Sequence, residues 1–364
     1  MKLTDQYKAA KYKFQGNGPR SIDILKEALN SIQEDRFADL YGKGEIIEEF
    51  EKKFAGILGK ESAVFMPSGT MAQQIALRIY ADDKNNKKVA YHPLSHLELH
   101  EQDAIKILHG LETVLLGETN RLFTIKDLMS VKENVGTLLI ELPQREIGGY
   151  LPALNELEEI IEYARSKNMY IHLDGARLFE SLPYYEKSPA EISAYFDSVY
   201  ISFYKGIGAV AGAVLAGEKE FINKAKIWKR RHGGDLISLY PYIIAADYYY
   251  EKRKDMMSKF HEEAIELAKY FNDLPSVRTT PEIPMTNMFH VHADFSSDQL
   301  EKIVSKIFSE FDVSIAGGIK KIDEKTSKFE ISIGEEFSKI PKELLKQVFD
   351  RFNEYIKVRS YLFH

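Results

Sequence analysis

Between residues 63 and 216 short apolar runs alternate with helix-like segments, and few architectures accept that rhythm. The runs at 63–66, 137–142, 169–174, 198–203 and 211–216 have the length and content of strands. Among them, 71–80 carries a helical pattern, and Leu154, Leu157, Ile160, Ile161 and Ala164 recur at helix spacing. A strand that is apolar along its whole length is covered on both faces, and strands joined through helices pair in parallel. The expected fold is therefore α/β, a mainly parallel sheet sandwiched by helices. Ligands in such sheets bind beyond the carboxyl ends of the strands.

The flanks are read by the same rules. Residues 1–20 are polar and contain Gly16 and Gly18, so they are expected to form an N-terminal arm. Residues 21–60 are helical in pattern, with Ile46, Ile47, Phe50 and Phe54 on one face and Gly59 as a stop. The main domain is expected over 21–245. Residues 246–364 would hold the rest of a long helix, 242–270, and a smaller C-terminal α+β domain. Phe289, Phe295, Phe308 and Phe311 are expected to be its core rather than a recognition surface.

Composition narrows the function. A net charge of -6 with both signs interspersed, and no basic cluster longer than Lys229-Arg230-Arg231-His232, gives no nucleic-acid surface. There are no cysteines, which removes disulfides, thiol catalysis and thiolate metal sites. The segment from Met1 to Tyr7 lacks the apolar core of a signal peptide, and the run 209–217 is far short of the ~20 residues a membrane helix needs. A cytoplasmic protein with no membrane partner is the expectation.

Two segments at predicted strand ends carry the chemistry: His172-Leu173-Asp174-Gly175-Ala176-Arg177, and Ser202 through Lys205 to Gly208. A lysine amine that bonds an aldehyde, with a carboxylate that keeps a ring nitrogen protonated, is what pyridoxal phosphate (PLP) requires. His172 and Asp174 are two apart, so they share a face of their strand. Pro67-Ser68-Gly69-Thr70 lies between a strand and a helix, where a tight turn, hydroxyls and helix-start amides suit a phosphate. An ordinary N-cap explains Ser68 equally well. Arg177 faces a ring hydroxyl or a substrate carboxylate, or makes a surface ion pair. His92, His96 and His100 recur every four residues, yet Pro93 interrupts the turn and no carboxylate completes a metal motif. No metal is expected; His96 is read as stacking on a flat ring, and the other two as structural.

Taken together, these segments resemble the low-specificity L-threonine aldolases of the β-eliminating lyase family, which have the type I, aspartate-aminotransferase-like PLP fold. The matching pieces are Leu40-Tyr41-Gly42, then Gly59 through Met71, His96 with Glu101, the segment His172 to Arg177, and Asp197-Ser198-Val199 leading to Lys205. They span about 35–240. The resemblance implies that Lys205 holds the cofactor, Asp174 meets its ring nitrogen, and His96 stacks on the ring and relays protons. Arg177 would stand at the ring hydroxyl or substrate side, and Ser68, Gly69, Thr70 and Ser202 would hold the phosphate. It also implies a homodimer or homotetramer with shared active sites, Tyr41 serving a neighbouring copy.

The chain departs from that family where the substrate would sit. Three residues after Glu141 the family has a histidine and this chain has Gln144; the stretch Gly233–Ser238 lacks the family's arginine, and so does Phe329–Ile333. Arg20, Arg145 or Arg231 is expected to replace the carboxylate-binding arginine, with Arg145 and Arg231 first. The expected activity is a PLP-dependent cleavage of a small β-hydroxy-α-amino acid such as threonine or allo-threonine to glycine and an aldehyde. The alternatives are β-elimination or another PLP-dependent amino-acid transformation, and a non-catalytic binder that keeps the fold. A nicotinamide enzyme fits worse, since no Gly-x-Gly-x-x-Gly turn follows the first strand.

Overall fold

The computed structural model describes residues 1–32 and 36–362; residues 33–35, inside the helical pattern expected at 21–60, and 363–364 lie outside that description. The chain forms two compact units, one of residues 22–147 and 151–255, the other of 1–21, 148–150 and 256–364.

The first unit is built on a seven-stranded sheet. Its strands are β1 (Ser62–Met66), β2 (Lys88–Tyr91), β3 (Glu112–Leu115), β4 (Thr137–Glu141), β5 (Tyr170–Gly175), β6 (Ser198–Ser202) and β7 (Ala213–Gly217), in the spatial order β1-β7-β6-β5-β4-β2-β3. Only β7 runs antiparallel to its neighbours. Helices cover both faces, as the unbroken apolar runs require. Along β1, Val64 and Met66 join a cluster with Ala72, Ile75 and Ile79 of the helix Gly69–Lys84 and with Phe221 and Ile222 of the helix Lys219–Arg231. Phe65 points the other way and packs edge-on to Phe50 of the helix Glu45–Ile57. The expected α/β sheet is observed; β2 and β3 are additions to it.

The second unit holds a four-stranded antiparallel sheet of Lys320–Lys321, Ser327–Ser332, Met288–Ala293 and Val277–Thr280, in that order. Phe289 and Phe295 are buried as expected, while Phe308 and Phe311 are only half-buried. Residues 1–20 differ from the irregular arm expected. Leu3–Ala9 is helical, Tyr12 and Lys13 pair in parallel with Val313 and Ser314, and Phe14 is fully buried. The expected single helix over 242–270 is two, Tyr240–Arg253 and Met257–Asn272, separated by a 3₁₀ turn, and the division between units falls there rather than at 245. Among the described residues no helix is long and apolar enough to cross a membrane.

Candidate active site

The site lies at the carboxyl ends of β4, β5 and β6, in the first unit. After β1 the chain turns through Pro67 and enters the helix Gly69–Lys84, whose N-cap is Ser68; its Oγ accepts from the Met71 amide at 3.3 Å. Gly69 is required by close packing, because a Cβ there would lie 1.8 Å from the Tyr200 hydroxyl. The Gly69 amide donates to the Tyr204 hydroxyl at 3.4 Å, and the hydroxyls of Tyr200 and Tyr204 are 3.5 Å apart.

Parallel pairing sets Glu141, the last residue of β4, opposite Asp174 near the end of β5. Asp174 is 2% exposed; its Oδ1 accepts from the Ala176 amide at 3.1 Å and its Oδ2 from the Gln73 side chain. Glu141 accepts from the backbone amides of His96 (3.4 Å) and Arg145 (3.3 Å) and from the Gln144 side chain (3.4 Å). Burial pushes both carboxyls above the usual carboxylate range, and Asp174's charge pushes Glu141 further. The structure thus has two acids side by side with unequal hydrogen-bond support.

His96 opens the short helix His96–Leu99, and its Nδ1 is 3.0 Å from Oε1 of the buried Glu101, whose Oε2 makes no hydrogen bond. His100 stacks obliquely 5.1 Å from His96 and pairs with Glu146, which also accepts from Arg145. Lys205 follows β6, with its amine 5.4 Å from the Tyr204 ring centre. The next residue is tied down by Glu180, whose Oε1 accepts from the Gly206 amide at 3.0 Å and lies 3.5 Å from the Arg177 guanidinium. A Cβ at Gly206 would meet that carboxylate at 2.1 Å.

Of the residues singled out in the sequence, Gly69, Thr70, His96, Arg145, Asp174, Arg177 and Lys205 line one cleft. Ser68, Gln144 and Ser202 do not line it. Ser68 caps its helix, and Gln144 is buried and donates to the Leu94 carbonyl at 3.0 Å. Ser202 is buried at the end of β6 with its hydroxyl making no hydrogen bond. Tyr41 is half exposed beneath the Arg230 guanidinium, and Arg231 stacks on Trp228; neither lines the cleft. His92 is not on a shared helix face with His96: it is buried, and its Nε2 meets the carbonyls of Glu118 and Arg121. Gln73, Tyr200 and Tyr204 line the cleft without having been singled out, and so does Glu141, which was noted only as a landmark. The signal for Glu141 was its place at a strand end, the same that marked Asp174. Gln73 lies one helical turn beyond Gly69 on the face toward the sheet.

The chain is similar to known proteins over most of its length. A family model described as beta-eliminating lyase matches residues 27–294. A crystal structure of a Listeria monocytogenes EGD-E protein, provisionally named an L-allo-threonine aldolase, is 54% identical with a TM-score of 0.95, covering 97% of this chain and 98% of that one. A second, from Exiguobacterium sp. 255-15 and provisionally named an aromatic amino acid beta-eliminating lyase/threonine aldolase, is 48% identical with a TM-score of 0.95, covering 97% and 99%. The low-specificity L-threonine aldolase 1 of Arabidopsis thaliana is 25% identical over 288 residues, 76% of this chain and 80% of that protein.

Proposed function

The chain belongs to the beta-eliminating lyase family, and from that premise we propose that it cleaves a β-hydroxy-α-amino acid of the threonine or allo-threonine type to glycine and an aldehyde. PLP is its cofactor. The residues present fit that group. Asp174 is a buried carboxylate with no ion-pair partner in contact among the described residues, an expensive arrangement that a cationic ring nitrogen relieves. Lys205 lines the same cleft and would hold the cofactor's aldehyde carbon. Gly69 and Thr70 at the helix start, with Ser68 and the unbonded Ser202 hydroxyl, would hold its phosphate. Bound there, PLP supplies a sink for the electron pair released when the Cα–Cβ bond breaks.

The protein's own groups handle orientation and protons. Glu101 faces His96 Nδ1 and fixes the tautomer that carries its proton there, which leaves Nε2 to take the proton of the substrate β-hydroxyl as the aldehyde forms. Gln144 is committed to the Leu94 carbonyl and has no titrating proton, so it cannot fill that role, which we assign to His96. A proton delivered to the α-carbon then completes glycine. Arg145, which lines the cleft and pairs with Glu146, is the arginine for the substrate carboxylate; Arg231 does not line the cleft. Tyr41, exposed on the surface, serves the cleft of another copy in a homodimer or homotetramer.

The observation that carries this reading is the convergence of Lys205, Asp174, His96 and Arg145 on one cleft. Titrating PLP into the purified protein, then glycine, then L-allo-threonine, tests it. A visible absorption band that shifts with glycine, with acetaldehyde and glycine as products, is expected, and Lys205→Ala abolishes both. A keto acid and ammonia would replace the aldolase with an elimination. A band that ignores every amino acid would leave a silent binder, and no band at all would overturn the cofactor assignment.

A further inference from the structure

Behind Asp174 runs a chain of buried polar groups that the proposed reaction does not itself use. Gln73 is 1% exposed, and its amide nitrogen donates to Asp174 Oδ2. Its Oε1 is 2.8 Å from His172 Nε2, and His172 Nδ1 is 2.7 Å from the Ser198 hydroxyl. His172 and Ser198 are both completely buried. We infer that Gln73, locked by His172 and Ser198, is a positioning residue that keeps Asp174 ionised and aimed at the cofactor's ring nitrogen, an inference that rests on the function proposed above.

Only one arrangement of protons satisfies every partner in this chain. An ionised carboxylate can only accept, so Gln73 must offer it an N–H and must turn Oε1 toward His172. Burial holds His172 down at about 3, so the imidazole is neutral and carries a single ring proton. That proton must be on Nε2 to meet Oε1, which leaves Nδ1 to accept from the Ser198 hydroxyl. Without the hydroxyl, Nδ1 is buried unpaired and the proton gains nothing by staying on Nε2. Were it to move, Nε2 would face Oε1 as a second acceptor. The amide would then turn over and set its oxygen against Asp174. Ser198 thus governs the carboxylate through two intermediaries, although neither it nor His172 lines the cleft. The other groups acting on Asp174 include Glu141 and Glu101, which oppose its ionisation, and the Ala176 amide, His96 and Lys205, which favour it; the Tyr200 hydroxyl also faces it. Gln73 adds a fixed dipole that does not titrate with any of them.

The test is equilibrium binding of PLP to the full-length protein, with the visible spectrum of the bound cofactor recorded across pH. Gln73→Met, similar in length but unable to donate, is expected to weaken PLP binding roughly ten- to hundredfold, the loss of a hydrogen bond to a charged group. It should also move the pH at which the bound cofactor's band changes. Ser198→Ala is expected to weaken binding about three- to tenfold and move the same transition the same way, as loss of a neutral hydrogen bond would. Ser198→Thr, which keeps the hydroxyl, restores most of the affinity. Gln73→Met and Ser198→Ala proteins that bind PLP with wild-type affinity and an unchanged pH profile would overturn the inference. Should Gln73→Met fail to fold by circular dichroism, the contrast between the two Ser198 variants decides alone. A wild-type protein that binds no PLP would overturn both this inference and the function beneath it.

Discussion

Each compact unit encloses a cluster of its own, and the two clusters are built from opposite kinds of side chain. In the C-terminal unit the deep positions are rings: Phe271 meets Phe14, Phe289, Phe329, Phe349 and Phe352 with centroids 5.0 to 6.4 Å apart. In the sheet unit the cluster around the carboxyl ends of the strands is polar: Gln73, His172, Asp174 and Glu180 are buried there, with Glu141 half-buried beside them. Ring packing of the first kind stabilises, while each enclosed carboxyl costs free energy that its hydrogen bonds only partly offset. Burial alone therefore does not separate core from site. The polarity of what is buried does, and perturbed acids gathered in one cleft mark where the fold has given up stability for chemistry.

The contrast breaks most visibly at Asp174. Asp174→Asn should lower kcat/KM by roughly a thousandfold while leaving the melting temperature of the cofactor-free protein unchanged or higher, since an amide costs less to bury than a carboxylate. A large fall in melting temperature would show that the carboxylate belongs to the core after all. Phe271→Ala is the mirror experiment. It should cost about 3–5 kcal/mol in chemical denaturation, the usual loss for a large aromatic in a packed core. The folded fraction should still take up PLP. A loss below ~1 kcal/mol would mean that the ring cluster is looser than its geometry implies.

What could be read in the sequence follows the same division. The apolar strands that end at Asp174 and beside Lys205 announced themselves because both of their faces are covered. β2 and β3 did not: each has four residues, and β3, at the edge, is only partly covered, so neither shows the run or the alternation that marks a strand. The helix break at Lys254-Asp255-Met256 has no glycine or proline to signal it. Phe14 sits in a polar stretch, and its partners lie more than 250 residues away, so its place in the C-terminal core was invisible. Within the cleft, residues with distinctive local company were legible, such as Asp174 before Gly175 and Lys205 before Gly206. Gln73 was not, because its importance comes from His172, 99 residues further on.

A smaller effect tests the recognition side of the cleft. Arg145→Lys keeps the positive charge but loses the planar pair of donors that matches a carboxylate. KM for the amino acid is expected to rise about ten- to hundredfold with kcat changed far less, and PLP affinity should stay the same. If KM stays put, Arg177 becomes the carboxylate partner, and its ion pair with Glu180 would then have to open when substrate arrives.

The smallest effect is the one that measures what the site costs. Glu141 is an acid whose folded pKa lies above its unfolded value of about 4.3, because it is buried beside Asp174. Folded protein therefore holds a proton that unfolded protein has released, and stability contributed by the protonated form, complete below about pH 4.3, is lost as pH rises toward the folded pKa. Glu141→Gln mimics the protonated acid and cannot titrate. The difference in unfolding free energy between variant and wild type, both without cofactor, should move in the variant's favour as pH rises from 4.5 to 8. It should do so by at most about 1.4 kcal/mol per pH unit. His172 is displaced in the opposite sense: burial lowers its pKa, so it stabilises above about 6.5 and loses that contribution as the medium becomes more acid. Taking the difference between the two proteins cancels His172 and the other shared groups that do not act on Glu141, which leaves Glu141 together with the Asp174 carboxyl beside it. A difference that stays flat across this range would mean that Glu141 remains ionised beside Asp174. The two acids would then be a doubly charged pair, and among the described residues no cation is in contact with Asp174 to balance it.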